Sequence, residues 1–217
     1  RPRARAPRAP PPADPASVEV LLDASAPEHA RWQAAGRLGL RKAALARVVA
    51  AAGAVPVVEV VRAPEAPPLS DGRRAGVGPA VPVLELPASA AAARTALRFT
   101  AEGTDRDPGP RAVYADELGG LAVLAASVGP DTEPIPDVRA LDRAVAAAPW
   151  AASTLHTVAY ATSLRAAAAE LNMHHSTLQD RLAQAEHWLG WPVHEPRGRL
   201  RLQLALALWR LGRNLHL

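Results

Sequence analysis

The sequence has no cysteine, and Lys42 is the only lysine among its 217 residues. Without cysteine there can be no disulfide framework, thiolate nucleophile or thiolate metal site, so we expect an intracellular, cytoplasmic protein. No apolar run approaches the ~20 residues that a membrane-spanning helix needs, and the first residues lack the apolar segment of a signal peptide. Because the chain begins with Arg1 rather than Met, we expect a fragment or a processed product.

Aromatic residues are also scarce, at 4%, whereas alanine is abundant and there are 22 prolines. A hydrophobic content of 49% fits a globular protein, either one large domain or two smaller ones. Arginine carries nearly all the basic charge, which is typical of a GC-rich genome. The isoelectric point near 10.5 is therefore weak evidence for nucleic-acid binding.

Charge is distributed unevenly along the chain. Residues 1–13 contain four arginines and no acid, residues 14–149 contain 14 basic and 17 acidic residues, and residues 150–217 contain seven arginines and four acids. Basic ends therefore flank a mildly acidic body. The Pro/Arg-rich residues 1–15 are predicted to be a disordered, solvated tail, with a DNA-grasping arm as the alternative.

The block 16–128 mixes helix and strand signals, which predicts an α/β or α+β domain. Residues 16–52 are predicted to be helical, with a stop at Gly39. Asp116 is the predicted N-cap of a helix over 117–127. The remaining predictions are strands at 54–61, 81–86 and 111–115, a loop over Pro64–Arg74, and a helix from Ser89 to about Thr100.

After a Pro-rich and acidic linker with a short helix, 129–149, the segment 150–217 is predicted to be wholly helical. Gly190 has the position of a helix C′ residue, and Trp191-Pro192 cannot continue the helix. The candidate helices are 139–148 in the linker and then 151–161, 164–171, 175–189 and 199–211.

Two of these helices are joined by very few residues. Ser163 can cap the first helix, and Asn172 tolerates the left-handed conformation that a sharp turn requires. Met173 can fill the corner, and His174 occupies the N-cap position of the second helix. The predicted buried faces are Leu164, Ala167, Ala168 and Leu171 on the first helix, and Leu178, Leu182, Ala185 and Leu189 on the second.

This arrangement is typical of a helix-turn-helix, which offers the first half of its second helix to the DNA major groove. Such a role explains polar residues with nothing to pack against, namely His175, Ser176, Thr177, Gln179 and Asp180. An ordinary αα-hairpin in a bundle has the same apolar pattern, so the pattern by itself leaves both interpretations open.

The string LHTVAYATSLRAAAAELNMHHSTLQDRLAQAEHWLGWPVHEPRGRLRLQLALALWRL resembles the C-terminal DNA-binding domain of PucR/CdaR-type transcriptional regulators. The shared elements are the Ser-Leu start, the Ala-rich helix, Met-His-His-Ser-Thr-Leu, Arg-Leu, the Leu-Gly stop, and a final Leu-rich helix. RRAGVGPAVPVLELPASAAAARTALRFTAEG followed by VYADELGGLAVLA looks like the degenerate GGDEF-like domain that precedes it in this family.

The resemblance implies an α+β protein with an N-terminal degenerate GGDEF-like α/β domain over 16–128 and an all-α, Fis-like helix-turn-helix domain over 150–217. It implies a transcriptional regulator that binds double-stranded DNA, as a homodimer, through a recognition helix at about 175–189. A small-molecule effector would be sensed by a region outside this chain. The final helix would pack Leu202, Leu206 and Leu208 on the other helices.

The predicted DNA-binding residues are His174, His175, Ser176, Thr177, Gln179, Asp180, Arg181 and Arg165. Arg181 is a candidate phosphate contact, whereas Arg197, Arg199 and Arg201 are either phosphate contacts or solvated. The family often has Arg-Tyr where this chain has Gln179-Asp180. Asp is repelled by phosphates, although it can accept a hydrogen bond from cytosine N4.

Other functions have weaker support. Glu170, His174 and His175 lack the spacing of a zinc motif, so no metal and no cofactor is expected. DELGG (116–120) is not the Gly-Gly-acid-Glu-Phe hairpin of a diguanylate cyclase, and no nucleophile elbow, P-loop or dinucleotide fingerprint occurs, so no enzyme is expected. The alternative to a DNA-binding regulator is a protein-interaction module of the same fold that has lost DNA binding.

Overall fold

The computed structural model describes residues 14–40, 45–53, 57–62 and 72–217. Residues 1–13 of the predicted tail therefore lie outside the described residues. The same holds for residues 54–56 of the predicted strand 54–61 and for most of the predicted loop Pro64–Arg74. The helices are α1 (Pro15–Leu22), α2 (Glu28–Arg37), α3 (Leu86–Leu97), α4 (Ala115–Leu118), α5 (Pro136–Ala147), α6 (Ala151–Tyr160), α7 (Leu164–Glu170), α8 (His175–Leu189) and α9 (Pro196–Arg213). The strands are β1 (Leu45–Ala51), β2 (Val57–Arg62), β3 (Ala75–Val77), β4 (Val81–Pro82) and β5 (Ala112–Tyr114).

Strand β1 is the centre of a mixed sheet with the order β2-β1-β3-β5. It pairs antiparallel with β2 along one side and with β3 and β4 along the other, and β3 pairs parallel with β5. Val48 and Val49 are both buried, on opposite faces of the sheet. The helical prediction for 16–52 is thus confirmed by α1 and α2. It is wrong for 45–51, where strand partners on both sides satisfy the backbone.

Helix α3 packs closely on β3 because two glycines of the Ala-Gly-Val-Gly segment leave room for it. A Cβ at Gly76 would lie 2.0 Å from the carbonyl oxygen of Ala93, and one at Gly78 would lie 2.2 Å from that of Ser89. The buried Ser89 hydroxyl accepts from the Val48 N–H at 3.0 Å and donates to the Pro79 carbonyl at 2.8 Å. These contacts fix a strand, β3, that the sequence pattern does not predict.

Two further predictions need correction. Of the predicted strand 81–86, only Val81–Pro82 pairs with β1, and a 3₁₀ turn over Val83–Glu85 leads directly into α3. The predicted helix 117–127 is instead the short α4 followed by a 3₁₀ segment, Gly119–Ser127, because Gly119 has φ +50° and interrupts the helix. Asp116 lies inside α4, and Tyr114 has the N-cap position. The strand predicted at 111–115 is confirmed as β5.

The five C-terminal helices α5–α9 share one hydrophobic core. The helices predicted at 151–161, 164–171 and 175–189 are confirmed to within one residue at each end. The helix predicted at 199–211 is longer than predicted and spans Pro196–Arg213. The helix predicted at 139–148 begins at Pro136, and its buried Leu141 and Ala144 belong to the same core as Leu178 and Leu202. The molecule is therefore an α+β protein whose C-terminal part is helical.

Helix α9 belongs to both parts of the molecule. Leu202 and Leu206 point into the helical core as predicted, whereas Ala207 and Leu211 pack with Phe99 in a second cluster beside α3 and β5. Leu208, also predicted to pack on the helices, is half-buried between the two clusters. One helix therefore connects the helical part to the mixed sheet.

Candidate nucleic-acid interface

The turn between α7 and α8 has the geometry that its residues predict. The Ser163 hydroxyl caps α7 by accepting the Ala166 N–H at 3.1 Å. Asn172 adopts a left-handed conformation with φ +51°, and the Met173 N–H returns to the Ala168 carbonyl at 3.0 Å. Because only Leu171 to His174 separate the two helices, the direction of α8 is set by this turn.

One face of α8 is buried and the opposite face is exposed to solvent. The side chains at Leu178, Leu182, Ala185 and Leu189 are all at most 4% exposed, which confirms the predicted core face. The helix ends at Gly190, whose φ of +84° is the left-handed C-terminal conformation expected of glycine. Packing therefore fixes which residues of α8 face outward.

The predicted contact residues of α8 lie on that outward side. His174 occupies the N-cap position, although its side chain makes no capping hydrogen bond. The exposed residues are His174, His175, Ser176, Thr177, Gln179 and Asp180. Together they form a polar surface over the first half of α8, at the positive end of the helix dipole.

Arg181 differs from these residues because it is half-buried. Its guanidinium carbon lies 5.1 Å from the centroid of the Trp150 ring, and the rings of Trp150 and Trp188 are 5.8 Å apart. Arg165 is exposed in the first turn of α7. The sequence did not predict that Trp150 contacts Arg181 and Trp188, because Trp150 belongs to a different helix and no local pattern relates these residues.

Two of the three arginines at the start of α9 have structural partners. Arg201 donates to both carboxylate oxygens of Asp137 at 2.7 Å, which lowers the Asp137 pKa, and its guanidinium carbon lies 4.1 Å from the centroid of the Trp191 ring. Arg199 donates to the Ala161 carbonyl at 3.3 Å. Arg197 is exposed. Neither Arg199 nor Arg201 is thus simply solvated.

A carboxylate holds the end of α8 against the following loop. Glu186 Oε1 accepts the Val193 N–H at 2.6 Å and lies 2.8 Å from His194 Nδ1. The hydrogen bond to Glu186 raises the pKa of His194. Both ends of α8 are therefore fixed to neighbouring segments, so its exposed surface is held in one orientation.

Over 14–40, 45–53, 57–62 and 72–217, no three His, Asp or Glu side chains are grouped so that they could hold a metal ion. Within the same ranges, no helix has the length and apolarity required to cross a bilayer.

Comparison with known protein families supports the helix-turn-helix assignment. Residues 152–208 match the family model of the PucR C-terminal helix-turn-helix domain. The chain is also similar, at 18% identity and a TM-score of 0.37, to the solved structure of a regulator of polyketide synthase expression from Bifidobacterium adolescentis, over 90% of this chain and 91% of that one. No curated protein matches the chain. Residues 152–208 are therefore a PucR-type C-terminal helix-turn-helix domain, a match that supports a transcriptional regulator.

Proposed function

We propose that this regulator binds double-stranded DNA by inserting the first half of α8 into the major groove. The observation that carries the proposal is the surface of α8, which is polar and exposed opposite a fully buried apolar face. A polar face on a helix that is fixed at both ends presents hydrogen-bonding groups in a defined geometry. Base edges in the major groove require such an arrangement.

The predicted contacts divide into two kinds. Gln179 and Asp180 lie one turn into the helix, where they can reach base edges, and Asp180 can accept from cytosine N4. Arg181 and Arg165 are assigned to phosphates. The remaining assigned residues are His174, His175, Ser176 and Thr177, at the N-terminus of α8, where N–H groups and the helix dipole favour an anion.

We further propose that the protein acts as a homodimer, since one short recognition helix buries little surface and two would read two half-sites. A groove on the outer side of α9 is suited to a second copy of the chain. Ile135, Leu200 and Leu204 are 43%, 58% and 38% exposed there. A two-fold axis along the groove would bring the same leucines of both protomers together. Leu204→Asp should convert the dimer to a monomer in sedimentation analysis, whereas an unchanged mass would exclude this surface.

The mixed sheet and its helices, residues 16–128, are proposed to be a regulatory, degenerate GGDEF-like domain. Support comes from the resemblance of its sequence and from the α/β character of the described residues. The connecting segment 129–149, whose helix α5 packs in the helical core, and an effector sensed outside this chain complete the proposal.

The test is the salt dependence of binding to duplex DNA from the protein's own upstream region. Two protomers that each neutralise roughly three phosphates imply a log–log slope of affinity against salt near −5. Specific binding with such a slope is the expected result. A slope near zero, or no binding, would overturn the proposal.

The alternative, an interaction module that has lost DNA binding, is favoured by one observation, the exposed Asp180 on the recognition surface. Asp180→Arg separates the two. In a DNA-binding protein it should tighten binding to every duplex and steepen the salt slope, because a repulsive charge is replaced by a phosphate partner. An interaction module should bind duplex neither before nor after the change.

A further inference from the structure

Arg181 is held against a pair of indole rings at the side of the recognition helix. Its guanidinium carbon lies 5.1 Å from the centroid of the Trp150 ring, and Trp150 in turn lies 5.8 Å from Trp188, with the rings tilted by 35°. Arg181 and Trp188 are seven residues apart, close to two helical turns, so they lie on the same side of α8. Trp150, from the corner between α5 and α6, contacts both.

This contact restrains the guanidinium without using its hydrogen-bonding capacity. A guanidinium attracted to the face of an indole still has its five N–H donors available for an anion. Among the described residues, Arg181 makes no hydrogen bond or ion pair, unlike Arg201 with its Asp137 partner. Arg181 is thus a positioned cation with free donors.

Its location suits a phosphate more than a base. Three residues along an α-helix correspond to a rotation of about 300°, so Arg181 is displaced by only about 60° from the buried Leu178. It therefore lies at the edge of the exposed surface, whereas Asp180 lies near its centre. When a helix occupies the major groove, groups at its edges are next to the sugar-phosphate backbone.

We propose that Trp150, supported by Trp188, is a positioning residue that holds the Arg181 guanidinium for a DNA phosphate, an inference that rests on the proposed function. Trp150 itself does not touch DNA. It is the N-cap residue of α6, and its carbonyl accepts the Thr154 N–H at 3.0 Å, so its place is fixed by the start of that helix. The phosphate contact therefore depends on the geometry of the corner between α5 and α6.

The experiment is a double-mutant cycle on the full chain, with duplex-DNA affinity measured over a range of salt concentrations. The variants are Trp150→Leu, which removes the π face, Trp150→Phe, which retains one, Arg181→Ala, and the Trp150→Leu/Arg181→Ala pair. Arg181→Ala should flatten the salt slope by about 0.9 per protomer. Trp150→Leu should weaken binding about two- to five-fold, because an unrestrained Arg181 side chain would lose conformational freedom when it binds a phosphate.

The decisive comparison is between backgrounds. Trp150→Leu should have no further effect on DNA affinity once Arg181 is alanine, although it should lower Tm in both backgrounds, and Trp150→Phe should restore binding. An equal loss of affinity in both backgrounds would make Trp150 a packing residue and overturn the inference. An unchanged affinity of folded Trp150→Leu, or of Arg181→Ala, would also overturn it. A wild-type chain that binds no duplex would instead overturn the proposed function, and the inference with it.

Discussion

Leu178 and Gln179 are neighbours in the chain, yet α8 gives them opposite environments. Leu178 is completely buried in the helical core, and Gln179 is exposed on the proposed contact surface. This division follows from the helical period alone, because successive residues are rotated by about 100°. It provides a matched pair for testing the surface.

Gln179→Ala should leave thermal stability within ~0.5 kcal/mol of wild type, since the side chain is exposed. If Gln179 contacts a base, the change should remove about 1–3 kcal/mol of discrimination between operator and scrambled DNA. Leu178→Ala is the control and should lose roughly 2–5 kcal/mol of stability through a core cavity. A Gln179→Ala protein that melts early and still selects its operator would contradict the assignment of the exposed face.

His156 should make stability depend on pH. Burial, followed by the charge of Arg210, lowers the pKa of His156 from 6.5 to about 4, while Asp107 opposes the shift. The unfolded chain therefore takes up a proton near pH 6.5 that the folded chain resists, so stability is lost as pH falls from about 6.5 to about 4. Tm measured across this range should fall less steeply for His156→Gln than for wild type. Parallel curves would contradict this prediction.

At the scale of single elements, the sequence predicts best where a helix is defined by local signals. Helix α8 is predicted at 175–189 and found there, because its apolar period, the turn at Asn172 and the stop at Gly190 all lie within its own segment. Strands β1 and β3 are not predicted. The alanines and glycines of these strands carry little local preference, and their strand form depends on partners distant in the chain.

Helix α9 contains two glycines that should respond oppositely to alanine. A Cβ at Gly198 would lie 1.6 Å from the Pro192 carbonyl oxygen, whereas nothing lies within 4 Å of one at Gly212. Gly198→Ala should therefore destabilise the protein by about 1–3 kcal/mol, because backbone must shift. Gly212→Ala, the control, should be neutral or stabilise by up to ~1 kcal/mol through helix propensity. Urea unfolding measures the free energy of unfolding of both variants. Equal effects would show that the loop at Pro192 can move away from the added Cβ at no cost, which would contradict the prediction.

At the scale of the whole molecule, buried polar side chains at the C-terminal end of α9 connect the two parts. Arg210 Nη2 donates to the Pro108 carbonyl at 2.5 Å, and the guanidinium lies so close to Gly109 that a Cβ there would be 2.5 Å from Nη2. Asn214 Nδ2 donates to the carbonyls of Arg98 and Thr100 at 3.0 and 2.9 Å. Losing these partners would leave buried groups unsatisfied, so separation of the parts is costly.

Limited proteolysis should reflect this connection. We expect a protease of low specificity to cleave within the exposed residues 130–135 and not inside α5, which packs in the helical core. The two fragments, the second of about 80 residues, should elute together in size-exclusion chromatography, because Ala207 and Leu211 of α9 still pack with Phe99 and Val113. Combining Arg210→Ala with Asn214→Ala should release them. If the fragments of the wild-type chain elute separately, the expected packing of α9 on the N-terminal fragment is contradicted.

The sequence by itself determined the turn between α7 and α8, the cap at Ser163, the stop at Gly190 and the exposed polar surface, since each depends on residues within a few positions of one another. It also determined, through its motifs, the regulator type of residues 152–208. Only the tertiary structure decided that 45–51 is a central strand, that α5 belongs to the helical core, and that Trp150 contacts Arg181. These features depend on groups that are far apart in the chain. Packing and the pairing of buried polar groups bring them into contact, and a local periodic pattern of residues does not predict either.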